Sequence, residues 1–165
     1  MSDYLLPYEI SALAQRVVEE NLAIGRTVAL AESCTGGLVA AALTEVAGSS
    51  AVLDRGYVTY SNAAKQSDLG VASDIIEAFG AVSVACVYAM AQGALAKCDA
   101  DVAVAISGIA GPGGGSASKP VGTVVFARMV RGEESPTAEE RLFEGEDRAG
   151  VRRQATLCAL ELLLP

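Results

Sequence analysis

TVALAESCTGG, residues 27–37, is a short apolar run that passes without a spacer into a turn rich in serine and glycine. A run of Val, Ala and Leu suits a strand covered on both faces, and paired glycines let a following helix start close against it. Residues 38–46 then read as an Ala-rich helix stopped at Gly48. This strand–turn–helix order predicts an α/β domain.

Upstream, residues 8–23 place Ile10, Leu13, Val17, Val18 and Ala23 near helical spacing, with Glu9, Arg16 and Glu19 opposite. Downstream, residues 53–60 read as a second strand and 62–69 as a short helix closed by Gly70. Ser73 and Ser83 are expected as N-caps of helices over 74–79 and 84–97. Residues 101–107 form a strong buried strand, 121–130 another and 139–144 a weaker one. Residues 147–163 close the chain as a helix. Strands alternating with helices argue for parallel pairing in the first two-thirds, while the last three strands, lacking helices between them, should pair antiparallel. The expected architecture is a three-layer α/β/α sandwich with a mixed, mostly parallel sheet. No linker or repeat divides it, so residues 1–165 are read as one domain.

The 165 residues include no His and no Trp, 52% are hydrophobic and only 5% aromatic. A chain of this length buries roughly 70% of its unfolded surface without metals or disulfides. The absent histidine excludes Ser-His-Asp and Cys-His hydrolases, His-ligated zinc and any histidine base. No metal or cofactor is expected, because the carboxylates show no ligand-like clustering either. A net charge of -8 argues against a nucleic-acid partner, although six of the twelve basic residues lie beyond position 127, leaving room for a local anion pocket. No apolar run reaches membrane-spanning length. Four cysteines without CxxC spacing, and no signal peptide, read as free thiols of a cytoplasmic protein. The leucine-rich end of the last helix suggests either a self-association surface, hence a homo-oligomer, or a helix buried in the core.

Three turns could carry chemistry, two of them at strand C-termini, where open α/β sheets bind ligands. In the first, Glu32 to Gly37, backbone N–H groups at a helix start could hold an anion or oxyanion; alternatively Ser33 or Thr35 only caps the helix. The second, Gly108 to Gly115 after Ser107, allows close backbone approach to a ligand, or is a plain hairpin loop. The third runs through Ser50 towards Tyr60, Asn62 and Lys65. Lys65, one of three lysines, would serve as a base replacing histidine if partly desolvated; otherwise it is a solvated helix residue. Cys34 at a helix N-terminus, with Glu32 and a lysine, leaves a nitrilase-like cysteine mechanism open.

Seven stretches carry a resemblance in order: AESCTGG (31–37), AGSS (47–50), VTYSN (58–62) with Lys65, GAVS (80–83), ISGIAGP (106–112), KPVGT (119–123) and RRQA (152–155). Together they resemble the CinA C-terminal-domain family, the nicotinamide mononucleotide deamidases of pyridine-nucleotide salvage, over about residues 8–163. The resemblance implies hydrolysis of the nicotinamide carboxamide to nicotinic acid mononucleotide and ammonia. It also implies a three-layer α/β/α domain, here in the form that stands alone. The family's serine chemistry then points to Ser50 or Ser33 as nucleophile, with Ser50 slightly preferred because it shares a segment with Tyr60 and Lys65. Lys65 would be the base and Tyr60 would orient it or relay a proton. Thr35, Gly36, Asn62, Ser107, Gly108, Gly111 and Gly113 are expected to bind the small nucleotide substrate. Arg152 or Arg153 would hold its phosphate. The alternative of another class is a non-catalytic module that binds pyridine nucleotides.

Overall fold

A computed structural model describes residues 3–165. Its elements are α1 (Tyr8–Ile24), β1 (Val28–Glu32), α2 (Leu38–Thr44), a 3-10 turn (Ser49–Ala51), β2 (Leu53–Val58), α3 (Asn62–Leu69), α4 (Ser73–Phe79), α5 (Val84–Ala96), β3 (Val102–Gly108), β4 (Thr123–Val130), β5 (Thr137–Leu142) and α6 (Arg148–Leu162). The sheet order is β2-β1-β3-β4-β5. β1 pairs in parallel with both β2 and β3, while β4 runs antiparallel to β3 and to β5. Four strands therefore point one way and only β4 runs against them, which is the mixed, mostly parallel sandwich expected from sequence.

Strand alternation sorts the two faces by side-chain size. Val28 and Leu30 of β1, Val104 and Ile106 of β3 and Phe126 of β4 face the layer of α1, α2 and α6. Ala29, Ala31, Ala103, Ala105 and Ala127 face α5, whose Val87, Met90, Ala91 and Ala94 lie against them. A sheet face paved with methyl groups lets α5 approach closely. Gly93 completes that approach on α5's other side, where a Cβ would stand 1.9 Å from the Leu69 carbonyl oxygen at the end of α3. A Gly93→Ala protein must separate α5 from α3. The expected result is a loss of about 3 kcal/mol, read as a fall in Tm of roughly 6–12 °C in a melt.

Several details differ from the sequence reading. Ser73 opens α4 from inside it; the N-cap is Ala72 and no side chain caps that helix. Ser83 does cap α5, accepting from the Cys86 N–H at 3.1 Å. α2 stops at Thr44, and the following turn coils into the 3-10 segment that carries Ser49 and Ser50. Of the terminal leucines, Leu160 and Leu163 are fully buried in the core cluster shared by α6, α1 and the sheet, while Leu162 and Leu164 are half-buried against it. No helix among the described residues is long and apolar enough to cross a membrane.

Parallel pairing brings the C-termini of β1, β2 and β3 to one edge, since Glu32 lies opposite both Val58 and Ile106. Backbone bonds tie the segments just beyond them: the Ser33 N–H donates to the Ile106 carbonyl at 3.0 Å and the Thr59 N–H to the Glu32 carbonyl at 2.9 Å. The site grows from this edge.

Candidate active site

Ser33 is the first residue beyond β1 and is nearly buried. Across from it, the chain leaving β2 turns at Ser61, whose hydroxyl accepts from the Ala64 N–H and starts α3. One turn along α3, Lys65 points back under this edge with 1% of its surface exposed. Its Nζ lies 2.9 Å from Ser33 Oγ, 2.7 Å from the Thr59 carbonyl and 3.4 Å from the Tyr60 carbonyl. Among the described residues no carboxylate pairs with it. Burial therefore drives the Lys65 ammonium below the ordinary lysine value, opposed only weakly by the Cys86 and Cys34 thiols. A neutral amine has two N–H groups and one lone pair. Nζ donates to all three oxygens; in the neutral form, with two carbonyls taking the N–H groups, the lone pair would be left for the Ser33 hydroxyl.

These two side chains sit in the floor of a cleft of about 280 Å³, lined also by Tyr60, Asn62, Ser107, Gly108, Gly111, Gly113 and Arg148. The glycine loop forms one wall, and Ala81 and Val82 contribute to the lining. Gly108 admits no side chain: a Cβ there would meet Val124 Cγ2 at 2.8 Å and Cys34 Sγ at 3.1 Å. Cys34 is itself buried, and burial pushes its thiol up to about 11. A thiol raised in this way is a poor source of thiolate, which weighs against a nitrilase-like mechanism.

The structure redistributes several expected site residues. Ser50 lies outside the cleft, exposed on the 3-10 turn before β2. Ser33 follows β1 and β1 is parallel to β2, so the two serines lie at opposite ends of the sheet, about 17 Å apart along a five-residue strand. Tyr60 borders the cleft but is 59% exposed, and it meets Lys65 only through its carbonyl. Its phenol oxygen accepts from Arg148 Nη2 at 3.0 Å. Thr35 is fully buried and donates to Glu32 Oε1 at 2.7 Å, while Gly36 supplies a left-handed turn residue with φ of 59°; neither lines the cleft. Arg152 is occupied by the Cys34 and Thr35 carbonyls at 3.1 and 3.4 Å. Arg153 is exposed on α6 and contributes nothing to the cleft.

Sequence reasoning missed Arg148. It stands at the first position of α6, donates to the Gly111 carbonyl at 2.6 Å as well as to Tyr60, and so spans the cleft mouth. No carboxylate neutralises it among the described residues. The available signal was its place as the first of three arginines on the last helix, one turn before Arg152.

Residues 10–165 match the CinA C-terminal domain family. The nicotinamide-nucleotide amidohydrolase PncC of Escherichia coli strain K12 is 52% identical over 155 residues, covering 94% of this chain and 93% of that one. Its counterpart from Enterobacter agglomerans is 54% identical over 140 residues, 85% of this chain and 84% of that one. A CinA-like protein of Mycolicibacterium vanbaalenii is 52% identical over 92% of this chain, which corresponds to 35% of that longer protein. Among solved structures, the competence/damage inducible protein CihA from Agrobacterium tumefaciens superposes with a TM-score of 0.94 at 48% identity, covering 98% of this chain and 97% of that one.

Proposed function

This chain belongs to the CinA C-terminal domain family, and from that premise we propose that it hydrolyses the carboxamide of nicotinamide mononucleotide, with Ser33 as nucleophile and Lys65 as base. The observation that carries the mechanism is the 2.9 Å contact between Lys65 Nζ and Ser33 Oγ in a buried setting without a carboxylate. A neutral Lys65 takes the Ser33 hydroxyl proton as Oγ bonds to the carboxamide carbon. The oxyanion so formed is met by backbone N–H groups of the turn after Ser33. Collapse breaks the carbon–nitrogen bond, and Lys65 returns its proton to the departing nitrogen, which leaves as ammonia. A water molecule then attacks the ester, its proton passing through Lys65 to Ser33 Oγ, and the nicotinic acid nucleotide leaves. One lysine handles every proton in this scheme, which needs no histidine.

Asn62, Ser107 and the glycine loop would contact the substrate's base and ribose. Arg148 takes over the role expected of Arg152 or Arg153. It is charged, borders the cleft and has only a carbonyl and a phenol as partners, both of which a phosphate would replace with a stronger acceptor. An Arg148→Gln protein is expected to raise KM for the mononucleotide by about 10–100-fold with kcat nearly unchanged. Steady-state ammonia release measures both. Tight nucleotide binding by the parent protein without ammonia release would replace this reading with the non-catalytic module.

A further inference from the structure

The turn that presents Ser33 is gripped from two sides by charged side chains that never enter the cleft. On one side stands Glu32, the last residue of β1, fully buried in an otherwise apolar strand. Its Oε1 accepts from the Thr35 hydroxyl at 2.7 Å and the Val39 N–H at 3.0 Å, and its Oε2 accepts from the Ala40 N–H at 3.1 Å. The N-cap of α2 is Gly37, which has no side chain to cap the helix, so Glu32 caps it from five residues upstream. On the other side, α6 sends Arg152 to the turn's carbonyls, with Nε donating to Cys34 and Nη2 to Thr35.

The two grips are complementary in polarity. Glu32 takes hydrogen-bond donors of the segment and Arg152 takes its acceptors, so neither can substitute for the other. Their effect on the backbone follows from peptide planarity: fixing the Cys34 carbonyl on Arg152 turns the Thr35 N–H in the opposite direction. Among the described residues the Cys34, Thr35 and Gly37 N–H groups have no acceptor in another residue, while the Ser33, Gly36, Leu38, Val39 and Ala40 N–H groups of the same segment do. We infer that Glu32 and Arg152 are a pair of positioning residues for this site. They hold the Ser33 hydroxyl on Lys65 and fix the turn whose Cys34 borders the cleft. The inference rests on the Ser33–Lys65 reading above and assigns to Arg152 a task other than phosphate binding.

The test separates positioning from substrate binding by using two probes on the Arg152→Gln protein. The first is turnover of nicotinamide mononucleotide. A displaced nucleophile lowers kcat by on the order of 10²-fold with KM within about twofold. The second is phenylmethylsulfonyl fluoride, which carries no charge for an arginine to recognise. In that labelling, Ser33 Oγ bonds to sulfur, fluoride leaves and the hydroxyl proton passes to Lys65; the adduct is read by intact mass. Labelling of Ser33 should slow by a factor comparable to the fall in kcat, at an unchanged Tm. Glu32→Gln should act in the same direction, since its amide group would turn a donor towards the Ala40 N–H. Arg152→Gln decides the matter even if that buried variant does not fold. A rise in KM with kcat and labelling unchanged would make Arg152 a substrate ligand and overturn the inference, as would no change in any of the three. A parent protein labelled at Ser33 but inactive on the nucleotide would sink the substrate assignment alone, with the labelling rates still deciding for or against the pair. A parent that is not labelled would overturn the Ser33 reading and the positioning pair with it.

Discussion

Ser33→Ala is expected to lower ammonia release from nicotinamide mononucleotide by about 10⁴-fold or more, while Ser50→Ala stays within about twofold of the parent. The asymmetry comes from where the sheet puts each hydroxyl. Ser33 lies one residue past the C-terminus of β1, within 2.9 Å of the buried amine. Ser50 precedes β2 and so faces solvent at the opposite end of the sheet. In the proposed mechanism, removing Oγ from Ser33 takes away the atom that would form the ester, and burial pushes the neighbouring Cys34 thiol up to about 11. Parallel assays of the two alanine proteins decide the assignment. Activity lost in Ser50→Ala and kept in Ser33→Ala would refute the site.

The choice between those serines was not legible in sequence, for a geometric reason. Ser50 is nearer Lys65 along the chain and shares its glycine- and serine-rich segment. Yet β2 lies between them, and six residues of strand carry the chain about 20 Å. Ser33 is 32 residues away in sequence, but parallel pairing of β1 with β2 sets the ends of both strands side by side. Only strand order and direction reveal this, and they are tertiary facts. The layers, by contrast, were readable. The continuous apolar runs of β1 and β3 and the absence of a helix between β3, β4 and β5 carry their pairing directions in local pattern alone. The arginines fall between these cases. Positions 148 and 152 share a helix face about 6 Å apart along the axis, so one reaches the cleft mouth and the other the Ser33 turn. Arg153 is rotated about 100° from Arg152 and points to solvent. A cluster of arginines was visible beforehand; its division of labour depended on the helix's rotation against the sheet.

Replacing Lys65 should be nearly as damaging, and the form of the damage identifies its role. Lys65→Met keeps the length and apolar stem of the side chain but has no lone pair for the Ser33 proton, and kcat should fall by about 10³–10⁴-fold. Lys65→Arg separates base from charge: a guanidinium can still donate to the Thr59 and Tyr60 carbonyls but stays protonated throughout the usable pH range. If Lys65 only held those carbonyls, the arginine protein would recover much of the activity; as a base, it recovers little. The pH profile provides the sign. Burial lowers the Lys65 pKa from 10.5, so the ammonium loses its proton earlier than an exposed lysine would. With the free amine as the active form in the proposed mechanism, kcat/KM should climb with pH along an acid limb and level off above the depressed pKa, below 10.5. That limb should vanish from the residual activity of Lys65→Met. A parent profile that is flat on its acid side, or a limb that survives in Lys65→Met, would show that some other group carries the proton.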